Sequence, residues 1–329
     1  MKQVLNSLIH KTPKIALHKA SKIYLYKAPT TFLYKALGRL SKLSRYVVMF
    51  ASLLALLPSQ LMAKDILTTM PVTYMMATQL MKGSPITTTY LAPKRYGLDR
   101  LSNWYATKGE ANALEAGKKA KVAITLKALW PKDPLFVYAR QGNINLIEID
   151  ASQSISPRAR GIATVQLSDG SSSIYAWLNP NNIGTMFSIV SEDLKRIWPE
   201  YADLIEKNQQ ALLVQVRLLI NQQQQILFDK EIDSVVLLSD QLEDFASANQ
   251  LFVVQRLFKE ELEWTEQDKL ALKTLLTESP HLWLLTTKKV SQQLKTLLPN
   301  FTNILVIDSI DRWGSKGIQL EKPFQRWLF

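Results

Sequence analysis

Cysteine is absent from this chain of 329 residues, and there are only three histidines. Without cysteine the protein can form no disulfide and offers no thiolate to a metal ion, so its folded parts depend on their own hydrophobic cores. His10 and His18 lie in a basic segment near the N-terminus, and His281 follows Pro280 ahead of an apolar segment. A lone histidine in such a position is more typical of a structural role than of a catalytic one.

The sequence also lacks the short motifs of common enzyme and nucleotide sites. It contains no G-x-S-x-G, H-E-x-x-H, P-loop or G-x-G-x-x-G pattern. We therefore expect that the protein is not an enzyme. One alternative stays open, because Asp240 and Asp308 could form the acid–base pair of a carboxylate-pair enzyme.

Positive charge is confined to one end of the chain. The whole sequence has 40 basic and 28 acidic side chains, a net charge of +12. Residues 1–46 hold ten Lys or Arg and no acid, which leaves 30 basic and 28 acidic side chains, a net charge of +2, in residues 47–329. This nearly neutral body has no electrostatic basis for binding nucleic acid.

The first 63 residues have the order of a secretory signal. A basic region leads into the apolar run Val47–Leu57, and a short segment ends at the small residue Ala63. This run has 11 residues, whereas a bilayer-spanning helix needs about 20. We expect cleavage after Ala63 and export to a periplasm. Leu61, three positions from the expected cleavage point, is larger than the residue usually found at that position, so an uncleaved membrane anchor remains an alternative. The long basic region before the apolar run could also be an extended leader or lie upstream of the true start.

The segment Trp198–Phe228 has no glycine and no proline after Pro199, and it is rich in good helix formers. Pro199 suits the first position of a helix. About 30 residues in a helix make a rod of about 45 Å, longer than one ordinary domain needs. The pattern predicts a rigid helix that joins two folded lobes; the alternative is an ordinary surface helix of one domain.

Strands and helices alternate on both sides of this segment. The pattern predicts an α/β fold of two lobes with parallel sheets flanked by helices, joined by the one long helix. The expected organisation is a leader and signal peptide at 1–63, an N-terminal lobe at 64–198, the connecting helix at 199–228 and a C-terminal lobe at 229–329. Predicted strands are 86–91, 122–126, 144–149, 174–178, 234–238, 251–257, 282–286 and 303–307.

Four side chains are candidates for a ligand cleft. Asp240 and Asp308 each follow an apolar strand, so both should lie at the carboxyl edge of the C-terminal sheet, where open parallel sheets bind ligands. Lys94 follows strand 86–91, and Tyr175 lies in predicted strand 174–178. If the two sheet edges face one another, these four meet between the lobes. The alternatives are helix-capping or loop aspartates, a solvated lysine and a packing tyrosine.

Several segments around these residues resemble the metal-type solute-binding proteins of ABC importers, which bind zinc or manganese in the bacterial envelope. The resemblance covers about residues 66–320. Pro93-Lys94-Arg95-Tyr96 is similar to the family's Pro-His-x-Tyr segment, and Tyr175-Ala176-Trp177-Leu178-Asn179 to its His-x-Trp-Leu-x segment. Ser239-Asp240 followed by Phe245, and Asp308-Ser309-Ile310, are similar to the segments of its third and fourth ligands. Tyr201 and Asn208 match the start of its connecting helix.

The resemblance implies a ligand held between two α/β lobes and handed to an ABC permease in the inner membrane. Lys94 and Tyr175 stand where the family has histidines, and a protonated lysine has no lone pair for a metal. Asp240 and Asp308 remain the only metal-capable groups, too few for a tight zinc site. We expect a monomeric solute-binding protein whose ligand is a small molecule or a divalent metal, zinc or manganese. In one hypothesis Lys94 bridges Asp240 and Asp308 in place of the metal; a non-binding adaptor of the same fold is the alternative.

Overall fold

The structure is a computed structural model, and it describes residues 65–153 and 161–329. The predicted basic leader, signal peptide, cleavage site and membrane anchor all lie outside the described residues. Within those two ranges, no helix has the combination of length and apolar character that a membrane crossing requires.

The N-terminal half contains a sheet of four parallel strands, in the order β2-β1-β3-β4. The central strands β1 and β3 are almost entirely buried. The strands are β1 (Asp65–Thr68), β2 (Thr88–Tyr90), β3 (Ala120–Thr125) and β4 (Ile147–Asp150). The helices between them are α1 (Pro71–Leu80), α2 (Leu98–Trp104), α3 (Glu110–Lys119) and α4 (Leu135–Ala139), with a single π-helical turn, Tyr105–Gly109, between α2 and α3.

Two long helices follow, α5 (Pro180–Ile197) and α6 (Ala202–Asp229), separated by the 3-10 turn Pro199–Tyr201. α6 has 28 residues, so it is about 42 Å long. The Asn208 amide donates to the backbone oxygens of Leu80 (2.9 Å) and Lys82 (2.8 Å) at the end of α1. The predicted long helix is therefore confirmed, and it is packed against its neighbours through one apolar stripe: Ile205, Leu212, Val216, Leu219 and Leu227.

The C-terminal half repeats the architecture with a second sheet of four parallel strands, in the order β6-β5-β7-β8. Its strands are β5 (Ser234–Leu237), β6 (Phe252–Arg256), β7 (Trp283–Thr286) and β8 (Ile304–Val306). Its helices are α7 (Glu243–Ala248), α8 (Glu266–Glu278) and α9 (Gln292–Leu297). The predicted fold class, two parallel sheets flanked by helices with one long helix, is confirmed.

One continuous core runs through both halves. Buried apolar side chains connect β1 (Ile66), α5 (Phe187), α6 (Leu212) and β5 (Leu237), and the chain continues to Trp327 near the C-terminus. Each sheet has a smaller second cluster on its other face. Because the halves share one core, the long helix is a packed element along both of them. The lobe boundaries predicted from the sequence stay a prediction.

The predicted strand 174–178 is wrong. Tyr175 precedes a 3-10 turn, Ala176–Leu178, and forms no strand pairing. Its backbone N–H donates to the Ser173 hydroxyl (3.2 Å), and the Asn182 amide donates to the Ala176 carbonyl (2.9 Å). Side chains thus satisfy backbone groups that a sheet would otherwise pair, and the apolar composition of this segment is explained by the burial of Ala176–Leu178. Residues 168–170 form a nearby turn that is closed by the antiparallel bridge between Gln166 and Ser172.

Two glycines allow close backbone packing in the N-terminal half, and their replacement should destabilise it. A Cβ at Gly117 would overlap the Ala139 carbonyl, and one at Gly142 would overlap the Leu114 carbonyl. Because backbone atoms cannot move aside cheaply, Gly117→Ala and Gly142→Ala should each lower the free energy of unfolding by roughly 1–3 kcal/mol in urea titrations. Gly184→Ala is the matched control, since its nearest neighbour, Leu213 Cδ2, lies at 3.5 Å. In helix α5 it should instead stabilise by roughly 0.5–1 kcal/mol.

Candidate functional site

A buried arginine holds Asp308 at the carboxyl edge of the C-terminal sheet. Arg326 lies in the 3-10 turn Gln325–Trp327 and is 5% exposed, whereas the Asp308 side chain is 43% exposed. The Arg326 Nε donates to Asp308 Oδ2 and its Nη2 to Oδ1, both at 2.8 Å, and Nη1 donates to the Trp313 carbonyl at 3.0 Å. This is a bidentate, charge-assisted pair. The negative charge of Asp308 is therefore already matched within the chain.

The hypothesis that Lys94 bridges the two aspartates is wrong. Among the described residues, Lys94 makes no ion pair with Asp240 or Asp308; its Nζ lies 5.2 Å from the ring centroid of Trp313. The Lys94 carbonyl accepts a hydrogen bond from the Trp313 backbone N–H at 3.1 Å. The cation that pairs with Asp308 is instead Arg326. The C-terminal segment returns to the sheet edge and places the guanidinium there.

Trp313 carries the contact between the two halves at this place. The centroid of its ring lies 5.0 Å from that of Tyr74, on helix α1, and 4.7 Å from that of Tyr90, on strand β2. The Tyr90 hydroxyl is buried and has no hydrogen-bond partner among the described residues. Burial raises the pKa of Tyr90, and the Arg326 charge opposes that rise. The aromatic cluster therefore covers the N-terminal sheet edge next to Lys94.

The turn after Asp308 is strained and is held from several sides. Ile310 is buried and has φ +58°, a left-handed conformation that costs a β-branched residue roughly 1–3 kcal/mol. Its N–H donates to Asp308 Oδ1 at 2.9 Å, and the Ser309 hydroxyl donates to Asp311 Oδ1 at 2.9 Å. The indole N–H of the fully buried Trp177 donates to the Ser309 carbonyl at 2.8 Å. Contacts from both halves therefore hold Ile310 in this strained conformation.

The C-terminal segment also binds the long helix and α1. The Trp327 indole donates to the Trp177 carbonyl, and the Gln223 amide of α6 donates to the Trp327 carbonyl, both at 2.8 Å. The Gln79 amide of α1 donates to the Leu320 carbonyl at 2.9 Å. Residues 308–329 therefore join the first sheet, the long helix and the second sheet.

Tyr175 and Asp240 lie within electrostatic reach of each other. Burial raises the pKa of Tyr175, and the carboxylates of Asp311, Asp99 and Asp240 raise it further. Asp240 itself is exposed at the start of a 3-10 turn after β5, where the preceding Ser239 caps the turn. A phenol must lose its proton to bind a metal tightly, so these charges favour the neutral form, which is a poor ligand.

The side chains at the four predicted positions do not fit a tight zinc or manganese site. Lys94 has no lone pair when protonated, burial favours the neutral phenol of Tyr175, and Arg326 donates a hydrogen bond to each oxygen of Asp308. Within 65–153 and 161–329, no group of three or more His, Cys, Asp or Glu side chains could hold a metal ion. Whether Lys94, Tyr175, Asp240 and Asp308 line a ligand site stays a prediction.

Comparisons with known proteins support the fold. No family model and no curated protein matches the chain. Among solved structures, it is similar to the metal-dependent lipoprotein YcdH from Bacillus subtilis (14% identity, 77% of this chain, 90% of that chain, TM-score 0.61). It is also similar to an FpvC mutant from Pseudomonas aeruginosa (12%, 80%, 94%, 0.62) and to the Zn(II)-bound ZnuA-like domain of Streptococcus pneumoniae AdcA (14%, 77%, 90%, 0.57). The chain has the fold of metal-type solute-binding proteins; at this identity the likeness concerns the fold alone.

Sequence reasoning missed Arg326 and Trp313. The segment Phe324–Phe329 contains Arg326 among apolar and aromatic side chains, a composition that indicates burial. A buried arginine requires a charge partner, and the strand-end Asp308 was available as that partner. This signal was present in the sequence, but the pairing joins residues 18 positions apart through tertiary structure.

Removal of the Asp308 carboxylate should destabilise the protein more than removal of a fully exposed carboxylate. Asp308→Ala leaves the buried Arg326 guanidinium without its partner, so we expect a loss of about 3 kcal/mol in the free energy of unfolding. The matched control is Glu321→Ala, because Glu321 is 87% exposed and lies 4.0 Å from Lys82. Urea titrations should show a change within about 0.5 kcal/mol for that control. Equal effects of the two variants would contradict the assigned role of the Arg326–Asp308 pair.

The buried carboxylic acid of Asp244 predicts how stability depends on pH. Asp244, in α7, is 1% exposed, and neither carboxylate oxygen has a hydrogen-bond partner among the described residues. Burial raises its pKa from 3.8 to about 6; the nearby Ser173 hydroxyl lowers the pKa in part, and Glu243 raises it. The folded state therefore disfavours the ionised form of Asp244. Its stabilising contribution is present below about pH 4 and is lost as pH rises through about 6.

Asp244→Asn should remove the loss of stability that accompanies rising pH, because an amide does not ionise. At pH 7.5 the variant should be more stable than the natural chain by roughly 1–3 kcal/mol, and at pH 4 the difference should disappear. Urea titrations between pH 4 and 7.5 measure the profile. Asp203→Asn, an exposed position on α6, serves as the control and should leave the profile unchanged. A stability difference independent of pH would refute the assignment.

Proposed function

We propose that the chain is the envelope solute-binding component of an ABC importer. It binds a ligand between its two halves, docks to a permease in the inner membrane and performs no chemistry. The shared fold of solute-binding proteins supports this proposal, as does the order of a secretory signal in residues 1–63. A periplasmic location and a monomeric state belong to the same proposal.

The proposed ligand is not a tightly held metal ion. The observation that carries this part is the bidentate pair between Arg326 and Asp308, at 2.8 Å for both contacts. A divalent cation at Asp308 would have to displace or approach a buried guanidinium, and like charges at short range repel strongly. Zinc or manganese could then bind only weakly, through exposed carboxylates such as Asp240.

Lys94, Tyr175 and Asp240 are the proposed contacts of the transported solute, whereas Asp308 forms an ion pair with Arg326. Lys94 and Tyr175 come from loops of the N-terminal half, and Asp240 from the edge of the C-terminal sheet. They offer an ammonium, a neutral phenol and a carboxylate, which suit a polar organic solute better than a bare cation. Nothing in the structure favours the carboxylate-pair enzyme, because Asp308 is engaged by Arg326.

Native mass spectrometry of protein purified from the periplasm tests this function. We expect no stoichiometric zinc or manganese after dialysis and, where a ligand persists, the added mass of an organic molecule. A zinc ion that stays bound at one per chain would overturn the proposal. A chain without any bound mass and without saturable binding to a panel of small solutes would favour the non-binding adaptor.

Zinc titrations of engineered variants test the role of Arg326. Lys94→His with Tyr175→His supplies two imidazoles, but Asp308 stays engaged, so we expect zinc affinity close to that of the natural chain. Adding Arg326→Gln frees the Asp308 carboxylate, and affinity should then rise by at least tenfold, about 1.4 kcal/mol. Circular dichroism must first show that each variant is folded. If the double variant alone binds zinc tightly, Arg326 does not block the site.

A further inference from the structure

A pocket of about 640 Å³ lies over the carboxyl ends of β7 and β8. It is bounded by the end of β7 on one side and by residues 312–316 and the C-terminal segment on the other. Ligands of open parallel sheets bind at this edge, and the volume is that of a small-molecule site. The charged side chains that line it are Lys289, Asp308, Arg312, Lys316 and Arg326.

The side chains that line the pocket carry an excess of positive charge. Asp308 is the one acidic side chain in its lining, and Arg326 already pairs with that carboxylate. Lys289 and Lys316 have no ion pair among the described residues, and Arg312 reaches only Asp311, at 3.8 Å. The charged side chains of the wall therefore sum to +3, in a body whose residues 47–329 sum to +2.

The cations come from separate segments. Lys289 follows β7, whereas Arg312 and Lys316 belong to the loop after β8. Arg326 fixes that loop through the Trp313 carbonyl, so the loop is held in place before any ligand arrives. Thr287 and Ser315 add hydroxyl groups to the wall. A ligand with two acidic groups could contact both segments at once.

The neighbouring pocket of about 400 Å³, at the ends of β5, β6 and β7, differs in charge. Its lining includes Asp240, Glu260 and Glu261, and Glu260 pairs with Lys288 while Glu261 accepts from the Ser291 hydroxyl. There three acidic side chains face three lysines, one of which, Lys289, also lines the larger pocket, so the smaller pocket gives no comparable reason to attract an anion. The excess of positive side chains is therefore found in the pocket over β7 and β8.

We propose that the pocket over β7 and β8 binds a small organic anion with at least two acidic groups, carboxylate or phosphate. The Lys289 ammonium on one wall and the Arg312 and Lys316 side chains on the other would each contact an acidic group. Asp308 does not repel such a ligand strongly because Arg326 forms a bidentate pair with it. This inference is independent of the proposed transport function, since binding in this pocket requires no permease.

Isothermal titration calorimetry with two probes tests the pocket, using the purified protein in metal-free buffer. The probes are tricarballylate, a tricarboxylate, and inorganic phosphate; the neutral triamide of tricarballylic acid is the shape-matched control. We expect saturable binding of one tricarballylate per chain, weaker binding of phosphate and none of the triamide. Added potassium chloride should weaken the binding, because it screens exposed charges.

Two double variants separate a built pocket from general electrostatics. Arg312→Gln with Lys316→Gln should weaken tricarballylate binding roughly tenfold, about 1.4 kcal/mol. Lys119→Gln with Lys207→Gln removes the same charge from exposed positions on α3 and α6, and should change the affinity less than twofold. These substitutions are at exposed side chains, so folding should be retained, and thermal melting checks this.

Three outcomes would overturn the proposal. They are the absence of saturable binding by both probes, equal weakening by the two double variants, and binding of the triamide as strongly as the tricarboxylate. Flotation with phosphatidylglycerol vesicles separates a lipid headgroup from a free solute. Vesicle binding without binding of the soluble anions would likewise refute a pocket for a small anion. None of these results bears on whether the protein docks to a permease.

Discussion

The structure around the candidate site depends on one buried guanidinium. Taking a charge out of water is costly unless an opposite charge and hydrogen bonds compensate for it. Arg326 meets that requirement with Asp308 and the Trp313 carbonyl together. Its position therefore determines where the loop after β8 can lie, and with it the place of the Trp313 ring against Tyr74 and Tyr90. The contact with the Lys94 carbonyl follows from the same arrangement.

Proteins with this fold can therefore differ in the charges of the side chains at the carboxyl edge of the sheet. In the resemblance described above, four side chains converge on a cation. In this chain Arg326 pairs with the carboxylate of Asp308, and the pocket beside it is lined by more cationic than acidic side chains. Similarity to zinc-bound structures at 14% identity shows how the backbone is arranged. The sign of the charge at the sheet edge is a property of the individual side chains.

The larger elements could be predicted from local sequence, and the reasons are physical. The long helix α6 follows from a run of good helix formers without glycine or proline, and the start of α5 from Asn179, whose side chain accepts the Asn181 N–H. Thr265 forms a capping box with Asp268 at the start of α8. Seven of the eight strands in the described residues overlap predicted segments of apolar residues, whereas β1 (Asp65–Thr68) was not predicted. The predicted strand at 174–178 failed because the same composition also suits a buried turn.

The sequence by itself determined the class of the protein: two parallel α/β sheets, one long helix, a nearly neutral body and a leader with the order of an export signal. These features depend on neighbouring residues or on composition, so they can be deduced without coordinates. Only the tertiary structure decided which cation pairs with Asp308, that Trp313 covers the N-terminal sheet edge, and that Trp177 joins both halves. Those contacts join distant segments, and their energies depend on burial and direction, which only the assembled chain defines.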